Sequence, residues 1–564
     1  MGGNMRLWVL GSALVETLLF SGCLLGWNSL SPILVEIGVL ARNCYSDSGL
    51  PAERNNYSTL VYGSNYTDGT NVSVSQLLEV SSSLVRNDPG PGQPALEDFC
   101  ISQEQNLNLA FTLGSFFLWG SFLPLQLLLG YVQIRSLRQI GGALIAVSCL
   151  MLAYCCTNPP SLSMFLPFAL VAQGVGGSCV AFSSLMLPHF LPDVGAVYPS
   201  LVIASFAASA TVLTIVKVLY NFGVPLVPIV LGYGALSFFM FLNSFFCWKL
   251  DENISDEGNM YRVRLRLNCS EILRKKEEQK EEWCQKSLKS KFHASLRDRD
   301  RLLSRRRTLS FKRPEGSATP SLQESLMTPT FILHLFSDSV LLTWIYFYIS
   351  SLNLQLRRAT DLHRQADLYS SLFGALQMLG LFAAPLICVL LHNHHLRKRP
   401  GKHPEGENRA SYRIVCSVKR LCVVYGLRTL LICGFGVVCL VSSLELQILA
   451  FVFHIIGRAS MFMVSTSLYH VMFHKDHFGS LLGIHTVITS LFALLQHPLF
   501  LLLTGPLEGD PFWIHVVFLA LSLGSFAVPV YLVIRKRQKQ HHVLSRPVYY
   551  HPAKILTHPA KTTA

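Results

Sequence analysis

The chain repeats apolar blocks of about 20 residues, the length a helix needs to cross a bilayer core of about 30 Å at 1.5 Å per residue. Twelve blocks can be marked, at 8–30, 107–131, 139–157, 162–187, 195–220, 225–249, 329–352, 368–391, 421–442, 446–471, 479–503 and 512–534. That pattern sets the fold class as an all-α polytopic membrane protein with the lipid bilayer as its first partner. Composition agrees, since 14% of residues are charged where soluble chains carry about 25%. The first block follows Met5-Arg6 and lacks a small-residue cleavage site, so it reads as a retained span.

A net charge of +14 would suit a nucleic-acid partner, but its distribution excludes that reading. Basic residues cluster between blocks and in the tail, where they set topology. Residues 40–106 are acidic and hold three acceptor sequons, at Asn56, Asn65 and Asn71, which places that loop outside the cell as a glycosylated segment. The segment 392–420 is strongly basic and the tail from Arg535 contains no acid. With an even number of spans, both termini are expected in the cytoplasm.

The expected layout follows. Residues 1–250 form a six-helix bundle carrying the extracellular loop, 251–328 a charged, partly disordered cytoplasmic loop, 329–534 a second six-helix bundle, and 535–564 a basic cytoplasmic tail. In the central loop Ser310 follows Arg305, Arg306 and Arg307, a pattern that suits a basophilic cytoplasmic kinase. Cys44 and Cys100 bracket the extracellular loop and are expected to pair there, on the oxidising side. Most of the 15 cysteines lie inside apolar blocks and act as small hydrophobes. The halves echo each other: Gly114 to Pro124 in the second block resembles Gly374 to Pro385 in the eighth. A 6+6 chain with such an echo suggests a transporter of two pseudo-symmetric bundles.

Four segments resemble solute carrier family 43, the system-L-type large neutral amino acid transporters of the major facilitator superfamily. They are "ETLLFSGCLLGWNSL" (16–30), "GVGGSCVAFSSLMLPHF" (174–190), "LYSSLFGALQMLGLFAAPLI" (368–387) and "HFGSLLGIHTVITSLFALLQHPLFLLLTGPLEGDPFW" (477–513). The resemblance implies twelve helices and sodium-independent facilitated diffusion of Leu, Ile, Val, Phe or Met across the plasma membrane by alternating access. One family branch is associated with purine nucleobases, which leaves a nucleobase transporter as an alternative. Major facilitators often carry an acid after the second span and after the eighth; here Ile134 and His392 stand at those places. That departure leaves a non-transporting receptor or scaffold as a third reading.

The resemblance also implies that the first, fourth, seventh and tenth helices line a central cavity. Arg458 lies about 18 Å along the tenth block and Glu16 about 12 Å into the first; they read as the two formal charges well inside the lining helices. A charge at the bilayer centre costs about 2.5–3.5 kcal/mol on insertion scales and so faces protein or water. Either Arg458 takes a substrate carboxylate and Glu16 its ammonium, or the two neutralise each other or other polar groups. Further candidates for substrate contact are Trp27, Asn28, Ser183, Ser184, Tyr346, Tyr348 and Gln496, each with local backbone bonding or membrane anchoring as its alternative. His485 and His454 read as buried neutral histidines or proton carriers, and Lys217 as a snorkelling cation. No Walker A, GxSxG or HExxH motif occurs, and "HNHH" at 392–395 fits no zinc spacing, so no enzyme activity, metal or cofactor is expected.

Overall fold

The structure, a computed structural model, describes residues 3–41, 100–129, 131–190, 197–248, 321–360, 362–392, 407–474 and 477–544. The sequons at Asn56, Asn65 and Asn71, together with Cys44 and Ser310, lie outside these residues, as do most of the two large loops. The described elements are helical, with 10 helices long and apolar enough to cross a membrane, or 12 counting two bent pairs as one span each.

Those pairs are the first and second spans, and both are bent. The first is Gly3–Phe20 joined through a 3-10 turn, Cys23–Gly26, to Trp27–Ile37, with a bend of 41°. The second is Ile101–Gly120 followed by Phe122–Leu128, bent by 40°. The third span, Ile134–Thr157, starts earlier than its apolar block and so takes in Arg138. The fourth is Leu166–Phe190 and the sixth Leu226–Cys247, while the fifth breaks between Val197–Ala208 and Thr211–Asn221.

In the second half, a capping box between Ser321 and Glu324 starts the short helix Leu322–Leu326. The seventh span, Pro329–Ala359, follows. The eighth is His363–Leu376 and Gly380–His392 about a 3-10 turn, Gln377–Leu379. The ninth is Glu407–Cys439 and the tenth Leu444–Met472. Pro498 has no N–H for the carbonyl four residues back, and the eleventh span breaks there, between Phe478–Ala493 and Gln496–Thr504. The twelfth, Phe512–Leu523 and Ala527–Leu544, turns at Gly524–Phe526.

Small residues let these helices approach closely, as lipid-embedded packing requires. A Cβ on Gly177 of the fourth span would lie 2.2 Å from the Ser21 carbonyl of the first, and one on Gly26 would lie 2.2 Å from the Ala210 carbonyl of the fifth. The bend of the first span and the break in the fifth thus sit at these two glycine contacts. The third span packs on the fourth and sixth, and the ninth on the tenth and twelfth. Contacts between the two halves run chiefly through the fifth span against the eighth and the second against the eleventh.

Candidate functional site

Between the halves lies a chamber of about 40 Å³, roofed by Leu25 and Tyr346 and walled by Trp119, Phe206, Leu342 and Met461. Arg458 borders it, 15 residues into the 29-residue tenth helix counting from Leu444. The residue is 8% exposed. Nη2 donates to the Ala207 carbonyl at 2.7 Å and to Oε1 of Gln377. Among the described residues Nε and Nη1 have no protein acceptor. A break in each of two helices builds this setting, because Ala207 precedes the turn in the fifth span and Gln377 opens the 3-10 turn in the eighth.

Below the chamber a vestibule of about 530 Å³ opens on the side where the first span begins, here called the terminal side. Phe122, Leu185, Ile203 and Phe462 line both spaces, so the chamber is the closed end of one path. The vestibule volume falls within the roughly 300–1,000 Å³ usual for small-molecule sites.

The opposite side is shut by polar contacts between the halves. Pro32 has no N–H to give the Asn28 carbonyl, which instead accepts from Asn353 Nδ2 at 2.8 Å. Asn28 Nδ2 donates to the Ser370 carbonyl at 3.1 Å, and Ser370 Oγ donates to Asn353 Oδ1 at 2.8 Å. Trp27, 2% exposed, stacks on Phe111 at 5.3 Å between centroids. It is therefore a buried strut and not an interfacial anchor. Gln496 ties the eleventh span to the seventh through Ser350 Oγ at 2.8 Å and to the second through Thr112.

Glu16 meets neither Arg458 nor the chamber. Arg138 Nε donates to Glu16 Oε2 at 2.8 Å, and Asn243 Nδ2 donates to Oε1 at 2.6 Å. Arg138 Nη1 reaches Ser183 Oγ at 2.9 Å and Ser184 Oγ at 3.0 Å, so both serines belong to this cluster. Of the alternatives left open for Glu16, pairing with other polar groups is the one seen, inside the first half and not with Arg458. The reason is reach, since the third span brings a buried arginine beside Glu16 within its own bundle.

The seventh span holds a third formal charge, missed among the lining helices. Asp338 accepts from Arg428, from Ser465 Oγ at 2.7 Å, and lies 3.2 Å from His485 Nε2 and 3.5 Å from His334 Nε2. The ligand atoms of His334, Asp338 and His485 all lie within 4.8 Å of one another. The Arg428 guanidinium on the same carboxylate already supplies positive charge there, which argues against a metal ion.

No protein-family model matches the chain. It is 30% identical over 578 residues to the human large neutral amino acids transporter small subunit 3, across 95% of this chain and 94% of that protein. The chain belongs to solute carrier family 43. The mouse protein of the same name is 29% identical over 598 residues, 98% of this chain and 97% of its own. Bovine equilibrative nucleobase transporter 1 is 23% identical over 450 residues, 78% of this chain and 86% of its own. Among solved structures, the human organic anion transporter MFSD10 aligns with a TM-score of 0.46 at 14% identity, over 94% of this chain and 100% of that one.

This family 43 member is therefore a multi-pass membrane transporter related to the large neutral amino acids transporter small subunit 3 proteins, and not an enzyme. Of the residues singled out by sequence, the structure brings Arg458 and Tyr346 to the chamber. Tyr346 donates to the Ser115 carbonyl at 3.4 Å. Tyr348 turns away and donates to Gln447 Oε1 at 3.0 Å. Lys217 is 5% exposed and lies 3.6 Å from Asp367. It is buried between the fifth and eighth spans, not snorkelling. His454 is buried among Tyr348, Phe373 and Phe435. Gln377 carried no sequence signal beyond being an amide in an apolar run.

Proposed function

We propose that this transporter carries large neutral amino acids such as Leu, Ile, Val, Phe and Met by sodium-independent, alternating-access facilitated diffusion across the plasma membrane. One observation carries the reading. Arg458, whose Nε and Nη1 are buried without a protein acceptor among the described residues, borders a chamber otherwise lined by apolar and aromatic side chains. A guanidinium is suited to a carboxylate, and the walls to an aliphatic or aromatic side chain. Relatives named for large neutral amino acids support the same substrate class.

In this proposal the two halves are six-helix bundles that rock about the chamber. The terminal side faces the cytoplasm, so the shape with the vestibule open is inward-facing. Residues 40–106 are then a glycosylated outer loop tied by a Cys44–Cys100 disulfide, and Ser310 a cytoplasmic kinase target.

Trp119, Phe122 and Phe462 pack edge and face about the chamber with centroids 5.9–6.1 Å apart. A planar ring would stack there, which favours a purine nucleobase as the second reading. The test is uptake of radiolabelled leucine and adenine by the purified protein in liposomes, with Arg458→Lys alongside. Saturable leucine uptake lost in Arg458→Lys, with the variant still monodisperse, supports the proposal. Adenine uptake without leucine uptake replaces it with the second reading.

A further inference from the structure

We infer that Lys217 is a sprung cation that favours opening of the side opposite the vestibule, and that Asp367 is the restraint that holds that side shut. The two residues act with opposite sign on one equilibrium. This inference rests on the two halves rocking as proposed above, and is independent of the cargo they carry.

Lys217 lies in the second segment of the fifth span and Asp367 in the first segment of the eighth, so the pair crosses between the halves. Nζ of Lys217 is 3.6 Å from Asp367 Oδ1. Thr214, on the same face of the fifth span as Lys217, meets Gly374 of the eighth. Lys217 therefore points into the seam that must part when this side opens.

The pair is lopsided. The Lys217 side chain is 6% exposed and that of Asp367 is 63% exposed. Nζ has no hydrogen-bond acceptor among the described residues, so the ammonium has given up its water for one carboxylate at ion-pair distance. Burying an ammonium is costly, and a carboxylate that stays largely in water returns only part of that cost. No acid of its own half helps. The charged groups that act on Lys217 are Asp367 and Arg357, both from the second half. Arg357, near the end of the seventh span, has like charge and repels it. Glu36, in the last turn of the first span, bears on Tyr220 instead.

Parting the fifth and eighth spans returns the Lys217 ammonium to water and moves it away from Arg357. Opening thus recovers a desolvation cost and loses one weak ion pair. An ordinary clamp would act otherwise, since both of its partners hold the seam and loss of either loosens it.

The experiment uses the purified full-length protein in lipid nanodiscs, with spin labels at the exposed positions Phe222 and Leu362. Asp367→Asn leaves Lys217 buried against a neutral amide, and the ratio of long to short distances should rise about tenfold. Lys217→Met keeps the apolar stem and removes the charge, so alone it should not raise that ratio. Added to Asp367→Asn, it should return the ratio to the unsubstituted value or below, because Asp367 acts only through the ammonium. Lys217→Arg, which keeps the charge, should not rescue Asp367→Asn. A rise in Lys217→Met, or a double variant as open as Asp367→Asn, makes the pair an ordinary clamp and overturns this inference. Two populations that Asp367→Asn leaves in their original ratio overturn it as well. In these cases the rocking of the halves stands. A single distance that no variant and no added leucine changes overturns the rocking itself, and this inference with it.

Discussion

Arg138 in the third span donates to Glu16 in the first, and the second half repeats the arrangement with Arg428 in the ninth span and Asp338 in the seventh. Serines complete both clusters from equivalent places, Ser183 and Ser184 in the fourth span and Ser465 in the tenth. Each acid and arginine is buried, and each pair closes within its own half. These two clusters thus close within their halves, while Lys217 and Asp367 pair between them. Arg458, at the junction, has no carboxylate among its partners in the described residues.

Breaking one of these pairs should unfold its half before it alters transport. Arg138→Ala leaves Glu16 buried without its cation, a change that costs about 3–5 kcal/mol. The melting midpoint in detergent should fall, and surface expression and uptake should drop together. Glu16→Gln with Arg138→Gln removes both charges and should recover part of the loss. A variant with normal stability and reduced uptake would place Glu16 in the transport path instead.

Asp338→Asn should behave in the same way, because Arg428 then lies buried opposite a neutral amide. Ser465→Ala removes one hydrogen bond to the same carboxylate and should cost about 1–2 kcal/mol. A double-mutant cycle between Asp338→Asn and Arg428→Gln should show strong coupling, whereas one between Asp338→Asn and Arg138→Gln should show none.

These clusters also mark what the sequence could and could not tell. Arg458 was legible because a charge inside a long apolar run needs a reason, and Glu16 for the same reason. Arg138 was not, since it lies at the edge of an apolar block and reads as a loop charge until the helix is seen to start at Ile134. Asp338 was missed although the seventh span starts at Pro329, which puts it about 14 Å into the helix. The signal was present in the similar depth of the acids Glu16 and Asp338 in the first and seventh apolar blocks. The arginines gave none, since Arg138 precedes its block and Arg428 lies inside its own. The partners of Arg458 carried no such signal, because Gln377 and the Ala207 carbonyl are set by helix breaks without a proline at the break itself. Twelve crossings were readable from hydropathy; the bends that build the chamber were not.

Close helix approach gives a third prediction. A Cβ at Gly26 or Gly177 would lie 2.2 Å from a backbone carbonyl of a neighbouring span, and backbone cannot swing aside as a side chain would. Gly26→Ala and Gly177→Ala should therefore cost about 1–3 kcal/mol or more through overpacking. Gly11→Ala is the control, with nothing within 4 Å of its added Cβ. Melting midpoints of the three purified variants should separate the first two from the third.

The contacts opposite the vestibule should set how often that side opens. Asn353 holds the Asn28 carbonyl at 2.8 Å and Ser31 Oγ at 3.1 Å, and accepts from Ser370. Asn353→Ala removes two bonds between halves and one to Ser370 within the second half, at about 0.5–1.5 kcal/mol each. Gly374→Ala acts on the same seam by steric push, because its Cβ would lie 2.1 Å from Thr214 Oγ1 of the fifth span. Both variants should move the population toward the form open on that side, by about tenfold for each 1.4 kcal/mol lost. Spin labels at the exposed positions Phe222 and Leu362, at the ends of the fifth and eighth spans there, report the separation directly. Their distance distribution should gain a longer component in either variant. An unchanged distribution in both would mean that the seam is held by its buried aromatic contacts, Trp27 on Phe111 and Phe111 on Tyr346, and that the polar bonds only orient it.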